Sequence, residues 1–209
     1  MKKILLAASI ALATNTVVAD LSMQKIEAQA KAANLSANFV KSLKDGTLPR
    51  AKGKIGITYA NLKSKVPTGD ESWPDTIYGL PSYITVNKTN TKNQAQKYDI
   101  YGFYNAKLYD EYGMYSDYFT STNLTHKEKV DFIFRSYNYK LSKQSIEKNF
   151  GKQYKVKDGH GNVRKDAGIY KAGKYYLYVY SDKYDDYSEV AISTKGALLK
   201  YFNYKKIYR

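Results

Sequence analysis

The chain has 209 residues, 43% of them hydrophobic, which suffices for one ordinary domain or two small ones and excludes a long disordered tail protein. Basic residues number 34 against 19 acidic ones, a net charge of +15, so the surface carries positive potential that attracts polyanions. Cysteine is absent, which excludes disulfides, zinc–thiolate sites, iron–sulfur clusters and cysteine nucleophiles, and the two histidines, His126 and His160, leave little for metal binding or general-base chemistry.

Lys2 and Lys3 precede an apolar stretch from Ile4 to Ala13 and then small and polar residues, the layout of a secretory signal. The stretch is shorter than the ~20 residues that a bilayer span needs, so the expectation is a released, extracellular protein, with cell-surface association as a further expectation. Cleavage after Ala19 and after Ala30 both fit, and Ala28-Gln29-Ala30 has the better small-x-small pattern. Removal of residues 1–30 takes away three lysines and two carboxylates, so the net charge falls only from +15 to +14. Export without cysteine is in keeping with a Gram-positive source.

Leu35, Phe39, Val40 and Leu43 fall at helical spacing between Asn34 and Lys44, and Asp45-Gly46 predicts the stop. From Ile57 to Val66, Thr58 stands as an N-cap before apolar residues four apart, and Pro67 limits the helix. Leu141 to Phe150 repeats that template at an offset of 84 residues, with Ser142 as the cap and Gly151 as the stop. Such an internal repeat predicts a duplicated unit. Strand patterns follow at Tyr83–Val86, Tyr98–Tyr104, Val130–Tyr137, Gly168–Tyr170, Tyr175–Tyr180 and Ser188–Ser193, with Lys171–Lys174 as a hairpin turn. Residues 105–127 are tyrosine-rich without clear period and are expected to form an irregular or weakly helical connector. The predicted class is α+β: two related units, 31–104 and 128–209, each with short helices packed on one face of an antiparallel sheet.

The segment from Lys140 to Thr194 carries LSKQSIEKNFGK, a polar glycine-containing loop, a Gly168-Ile169-Tyr170 strand, the tyrosine strand and a closing Glu189-Val190-Ala191-Ile192 strand. Over this quarter of the chain, and in the Ile26–Ala32 stretch at the signal end, the sequence resembles the staphylococcal immunodominant antigen B family. More distantly, cap, glycine and strand order resemble one unit of the tandem β-lactamase-inhibitor-protein-like fold. The resemblance implies a secreted, host-exposed, virulence-associated antigen that binds nucleic acid without sequence preference. This chain is longer in its N-terminal half, richer in tyrosine and extended by a basic tail.

The 23 tyrosines are the oddest feature, because each offers an apolar ring with a water-tolerant hydroxyl suited to half-exposed strands and binding faces. In a strand from Tyr175 to Tyr180, Tyr175, Leu177 and Val179 would face a core, and Tyr176, Tyr178 and Tyr180 would form a row on the other side. With Lys171, Lys174 and Lys183 around it, that row is suited to stacking bases while cations hold phosphates; the alternative is a row that only stabilises the sheet through cross-strand rings. The tail from Lys195 to Arg209 interleaves Lys200, Lys205, Lys206 and Arg209 with Tyr201, Phe202, Tyr204 and Tyr208 and contains no acid. It reads both as a polyanion contact and as a final strand or helix packing through Leu198, Leu199, Phe202 and Ile207. Neutralising about six phosphates would make log affinity fall with log salt at a slope of roughly five.

No catalytic signature stands out. Asp182 to Tyr187 with Glu189 lacks the spacing and turn glycine of a calcium loop, Asp158-Gly159-His160-Gly161 fits a turn, and Trp73 suits a packing anchor or contact residue on a loop. The expectation is a non-enzymatic protein without cofactor that binds extracellular DNA, RNA or another polyanion. The alternative is a protein–protein module, an inhibitor or host-factor ligand, since tyrosine-rich faces serve protein recognition equally well.

Overall fold

The computed structural model describes residues 32–66, 72–77, 80–86, 98–104, 106, 124–181 and 187–208. Helix α1 (Ala37–Lys44) begins where the Ser36 hydroxyl accepts the Phe39 N–H at 3.2 Å. It ends at Gly46, whose φ of +76° suits a residue without a Cβ. Helix α2 (Tyr59–Lys65) is capped by Thr58, which accepts the Asn61 N–H at 3.2 Å. Strands β1 (Ser72–Ile77), β2 (Leu80–Val86), β3 (Tyr98–Gly102) and β4 (Phe132–Tyr137) follow. Helix α3 (Lys143–Phe150) repeats the α2 cap, Ser142 accepting the Ser145 N–H at 3.2 Å, and it stops at Gly151. Strands β5 (Tyr154–Asp158), β6 (Val163–Ala172), β7 (Tyr175–Ser181) and β8 (Ser188–Ser193), helix α4 (Lys195–Tyr201) and strand β9 (Tyr204–Tyr208) complete the described elements.

All nine described strands belong to one antiparallel sheet in the order β1-β2-β3-β4-β8-β7-β6-β5-β9, so the class is α+β. The two related units expected, 31–104 and 128–209, share this sheet and meet at β3 and β4, where Ile100 pairs with Phe134 and Gly102 with Phe132, and the described residues from Ala33 onward form one compact unit. The Trp73-Pro74 segment, expected as a loop, lies in β1, where a proline is tolerated because β1 is an edge strand. The signal region and most of the expected connector lie outside the described residues.

Helices cover both faces of the sheet, not one. On the first face, Phe39, Val40 and Leu43 of α1, Tyr59 and Leu62 of α2, and Ile146 and Phe150 of α3 pack over Tyr83, Tyr101, Ile133, Leu177, Val179 and Ile192. On the second, Ala197, Leu198 and Tyr201 of α4 pack with Phe132, Phe134, Ile169, Tyr178 and Ala191, joined by Tyr204 and Ile207 of β9. Central β4 is therefore buried along its whole length, which accounts for the unbroken Phe132-Ile133-Phe134 run where a one-sided strand would alternate. Gly102 lets α4 sit close, since a Cβ there would stand 1.8 Å from the Tyr201 hydroxyl. Tyr201 in turn stacks on Phe132 with ring centres 3.9 Å apart.

Nine of the described tyrosines are buried. Their hydroxyls tie down backbone: Tyr101 accepts the Lys52 and Gly53 N–H groups at 2.9 and 3.1 Å, and Tyr83 donates to the Val66 carbonyl at 2.8 Å. Arg135, 1% exposed in the middle of β4, forms a two-pronged pair with Asp99 at 2.5 and 2.8 Å and donates to the Pro49 carbonyl at 2.8 Å. Burial opposes the guanidinium charge, but the Asp99 hydrogen bonds outweigh it and hold Arg135 protonated.

Candidate polyanion interface

Strand β7 alternates as its sequence predicts, with Leu177 and Val179 toward the first core and Tyr176, Tyr178 and Tyr180 toward the opposite face. That face is not an open row of rings. Tyr178 is 6% exposed and stacks on Phe202 at 4.0 Å, and Tyr204 is 7% exposed with its ring 5.7 Å from Phe202. The tail folds back as α4 and β9 because Ala197, Leu198, Tyr201 and Ile207 require cover, and these tyrosines supply it. Tyr176 and Tyr180 are half-buried at the margin of this core, and Tyr154 meets Tyr176 edge-on at 6.2 Å.

The cations named from sequence are dispersed. Lys171 lies over the Tyr176 ring at 4.0 Å and donates to the Lys174 carbonyl at 3.0 Å, a lysine–tyrosine pairing of the expected site that the fold brings together. Lys174 lies 5.3 Å from Tyr175, whose ring belongs to the first core, and Lys200 lies over Tyr104 at 5.3 Å. Lys205 and Lys206 are exposed on β9. Lys183 and Arg209 are outside the described residues.

A denser group lies at the sheet edge, where Lys155 and Lys157 are exposed on β5 and the intervening Val156 is 1% exposed in the second core. In register, Lys157 stands opposite Lys206 on β9 and opposite Val163 on β6, and Lys155 stands opposite Tyr208. Val163 is 45% exposed. No described ion pair engages Lys155, Lys157, Lys205 or Lys206; the described pairs are Lys41–Asp45, Arg135–Asp99 and Lys143–Glu147. Sequence reading passed over β5, although Lys155-Val156-Lys157 has the polar–apolar–polar alternation of a strand with one buried face.

Asp131, just before β4, is 6% exposed. Its Oδ2 accepts the Tyr104 N–H at 2.8 Å, and its Oδ1 is buried without a hydrogen-bond partner. Burial pushes its carboxyl up to about 7, an effect that Glu128 reinforces and that the Tyr104 hydrogen bond and Lys200 oppose. Between α3 and strands β6 and β7 a cleft of about 200 Å³ is lined by Leu141, Ile146, Tyr170 and Val179, with Lys143 at its side. Among the described residues no group of three or more histidines, aspartates or glutamates is arranged to hold a metal ion, and no helix is long and apolar enough to cross a membrane. No family model, curated protein or solved structure matches the chain.

Proposed function

We propose that this chain is a secreted, non-enzymatic binding protein that engages nucleic acid or a similar polyanion through charge, without reading sequence. The observation that carries the proposal is the exposed lysine group on β5 and β9, where Lys157 and Lys206 stand directly opposite each other with no described carboxylate partner. Like charges facing across a ladder are unfavourable by roughly 0.2–1 kcal/mol, a penalty that a bound phosphate removes. The +15 net charge and the resemblance of Lys140–Thr194 to immunodominant antigen B agree with this reading.

The chain is further proposed to descend from a duplicated unit of one helix and four strands. In support, the sheet order β1-β2-β3-β4 is followed by β8-β7-β6-β5, which mirrors it, and each set of four follows a helix capped by a hydroxyl residue 84 positions apart. Strand β9 is then an addition to the second unit, and the lysines of the proposed interface lie at that junction.

Titration against labelled single- and double-stranded DNA of unrelated sequences, at several salt concentrations, tests the binding reading. The expected result is micromolar or tighter affinity, equal across sequences, falling steeply with salt. A protein–protein module would instead show no DNA binding even at low salt, and that outcome refutes the proposal.

A further inference from the structure

We infer that the β5–β9 edge of the sheet is a seat for single-stranded nucleic acid, with Lys155, Lys157 and Lys206 on the phosphates and Tyr208 and Val163 under the bases. The inference rests on the polyanion reading and adds where the strand lies and in what state it binds. On β5, Lys155 and Lys157 project from the same side, ~6.6 Å apart as alternate strand residues are, and Val156 between them is buried on the other side. Pairing brings Lys206 beside Lys157 and Tyr208 beside Lys155, so charge and ring alternate across two neighbouring strands. Strand β6 extends the same row with Val163, one of two large hydrophobic side chains that stand exposed among the described residues.

That combination favours a single strand. In a duplex the faces of the bases are stacked inside, and a flat sheet edge would meet phosphates alone. In a single strand the bases are free to lie on an aromatic ring and an exposed apolar side chain, with stacking on a ring worth roughly 1–3 kcal/mol per base. The surface is also available. The tyrosine row on β7 is spent on the second core, whereas Lys155, Lys157, Lys206 and Val163 are exposed and hold none of the described ion pairs.

The test compares a labelled oligothymidylate, a duplex of the same length and poly-L-glutamate by fluorescence anisotropy on the full chain, at 50 and 200 mM salt. Two variants accompany the wild type: the triple change Lys155→Gln, Lys157→Gln, Lys206→Gln, and Tyr208→Leu. A third, Lys171→Gln with Tyr176→Leu, probes the opposite face. Circular dichroism checks that each is folded. The expected result is that the single strand binds tighter than the duplex, and that the triple variant loses at least tenfold in affinity. Its log–log salt slope should be shallower by about 2, since each single-strand phosphate contact contributes roughly 0.7. Tyr208→Leu should narrow the gap between single strand and duplex, and the opposite-face variant should bind within twofold of wild type. Equal binding of duplex or polyglutamate, or loss confined to the opposite-face variant, overturns this inference and leaves the polyanion reading standing. No binding of any of the three probes by the wild type overturns both.

Discussion

Substituting Asp131 by asparagine tests the most exposed weakness in the fold, a carboxyl held in a place that does not welcome its charge. The group titrates at about 7 in the folded chain against 3.8 in its ordinary environment, because it is 6% exposed and only one of its oxygens is hydrogen-bonded. A raised carboxyl binds its proton more tightly folded than unfolded. Its effect on stability is therefore absent below about pH 4, grows more unfavourable as pH rises toward 7, and is constant above that. The span from 3.8 to about 7, at about 1.4 kcal/mol per pH unit, comes to about 4 kcal/mol at full ionisation. Between pH 8 and pH 5 the wild type should regain about 3 kcal/mol of this, or about 6–12 °C in melting temperature for a domain of this size. The asparagine of the Asp131→Asn variant cannot ionise, and its side-chain oxygen can still accept the Tyr104 N–H. Differential scanning calorimetry of both proteins across pH 5–8 isolates the residue, because contributions that the two proteins share cancel in the difference. A difference between wild type and variant that does not shift in favour of wild type on acidification, the two curves running parallel, would refute the argument that burial destabilises the Asp131 carboxylate.

Asp99→Ala leaves the Arg135 guanidinium buried without its counter-ion and should lower the urea unfolding free energy by about 3–5 kcal/mol; a loss under 1 kcal/mol would mean that water reaches Arg135. Thr58→Ala and Ser142→Ala should each lower it by about 1 kcal/mol, as loss of an N-cap does, and a loss at only one position would separate the two helices energetically. Gly102→Ala should be destabilising by about 1–3 kcal/mol through collision with Tyr201, and an unchanged thermal melt would move that ring away from β3. Lys206→Glu should raise stability by about 0.2–1 kcal/mol, by giving Lys157 an opposite charge across the ladder, while weakening DNA binding. A variant that binds as tightly as wild type would remove Lys206 from the interface.

The local signals that sequence carried were those with a short-range physical cause. Thr58 and Ser142 each stand where a hydroxyl can answer an N–H three residues on, and both do so. The β7 alternation was equally legible, down to which tyrosines share a face. What alternation cannot convey is what lies above a face. The tail was ambiguous between ligand contact and packing, and it packs, turning Tyr178 and Tyr204 from expected binding residues into core. Strand β1 was hidden by Pro74, a residue that argues against strands except at an edge, and edge position is a property of the whole sheet. The pairing of Lys157 with Lys206 joins residues 49 positions apart and depends on β9 returning to β5, which no local pattern contains.

Tyrosine and lysine divide their work differently in the fold than composition suggests. Tyrosine is abundant because it fills both cores while its hydroxyl satisfies backbone groups that a phenylalanine would leave bare, as Tyr101 does for Lys52 and Gly53. Among the described tyrosines only Tyr98 stands exposed, so a surface for polyanions there must draw on what the cores do not use. Lys155, Lys157 and Lys206 meet that condition: their backbone builds the β5–β9 ladder, and their side chains serve neither core. Folding gains nothing from setting Lys157 against Lys206, and the two positions are those at which replacing charge should help the fold and harm binding. A residue pair with that opposite dependence is where stability and ligand contact can be told apart by mutation.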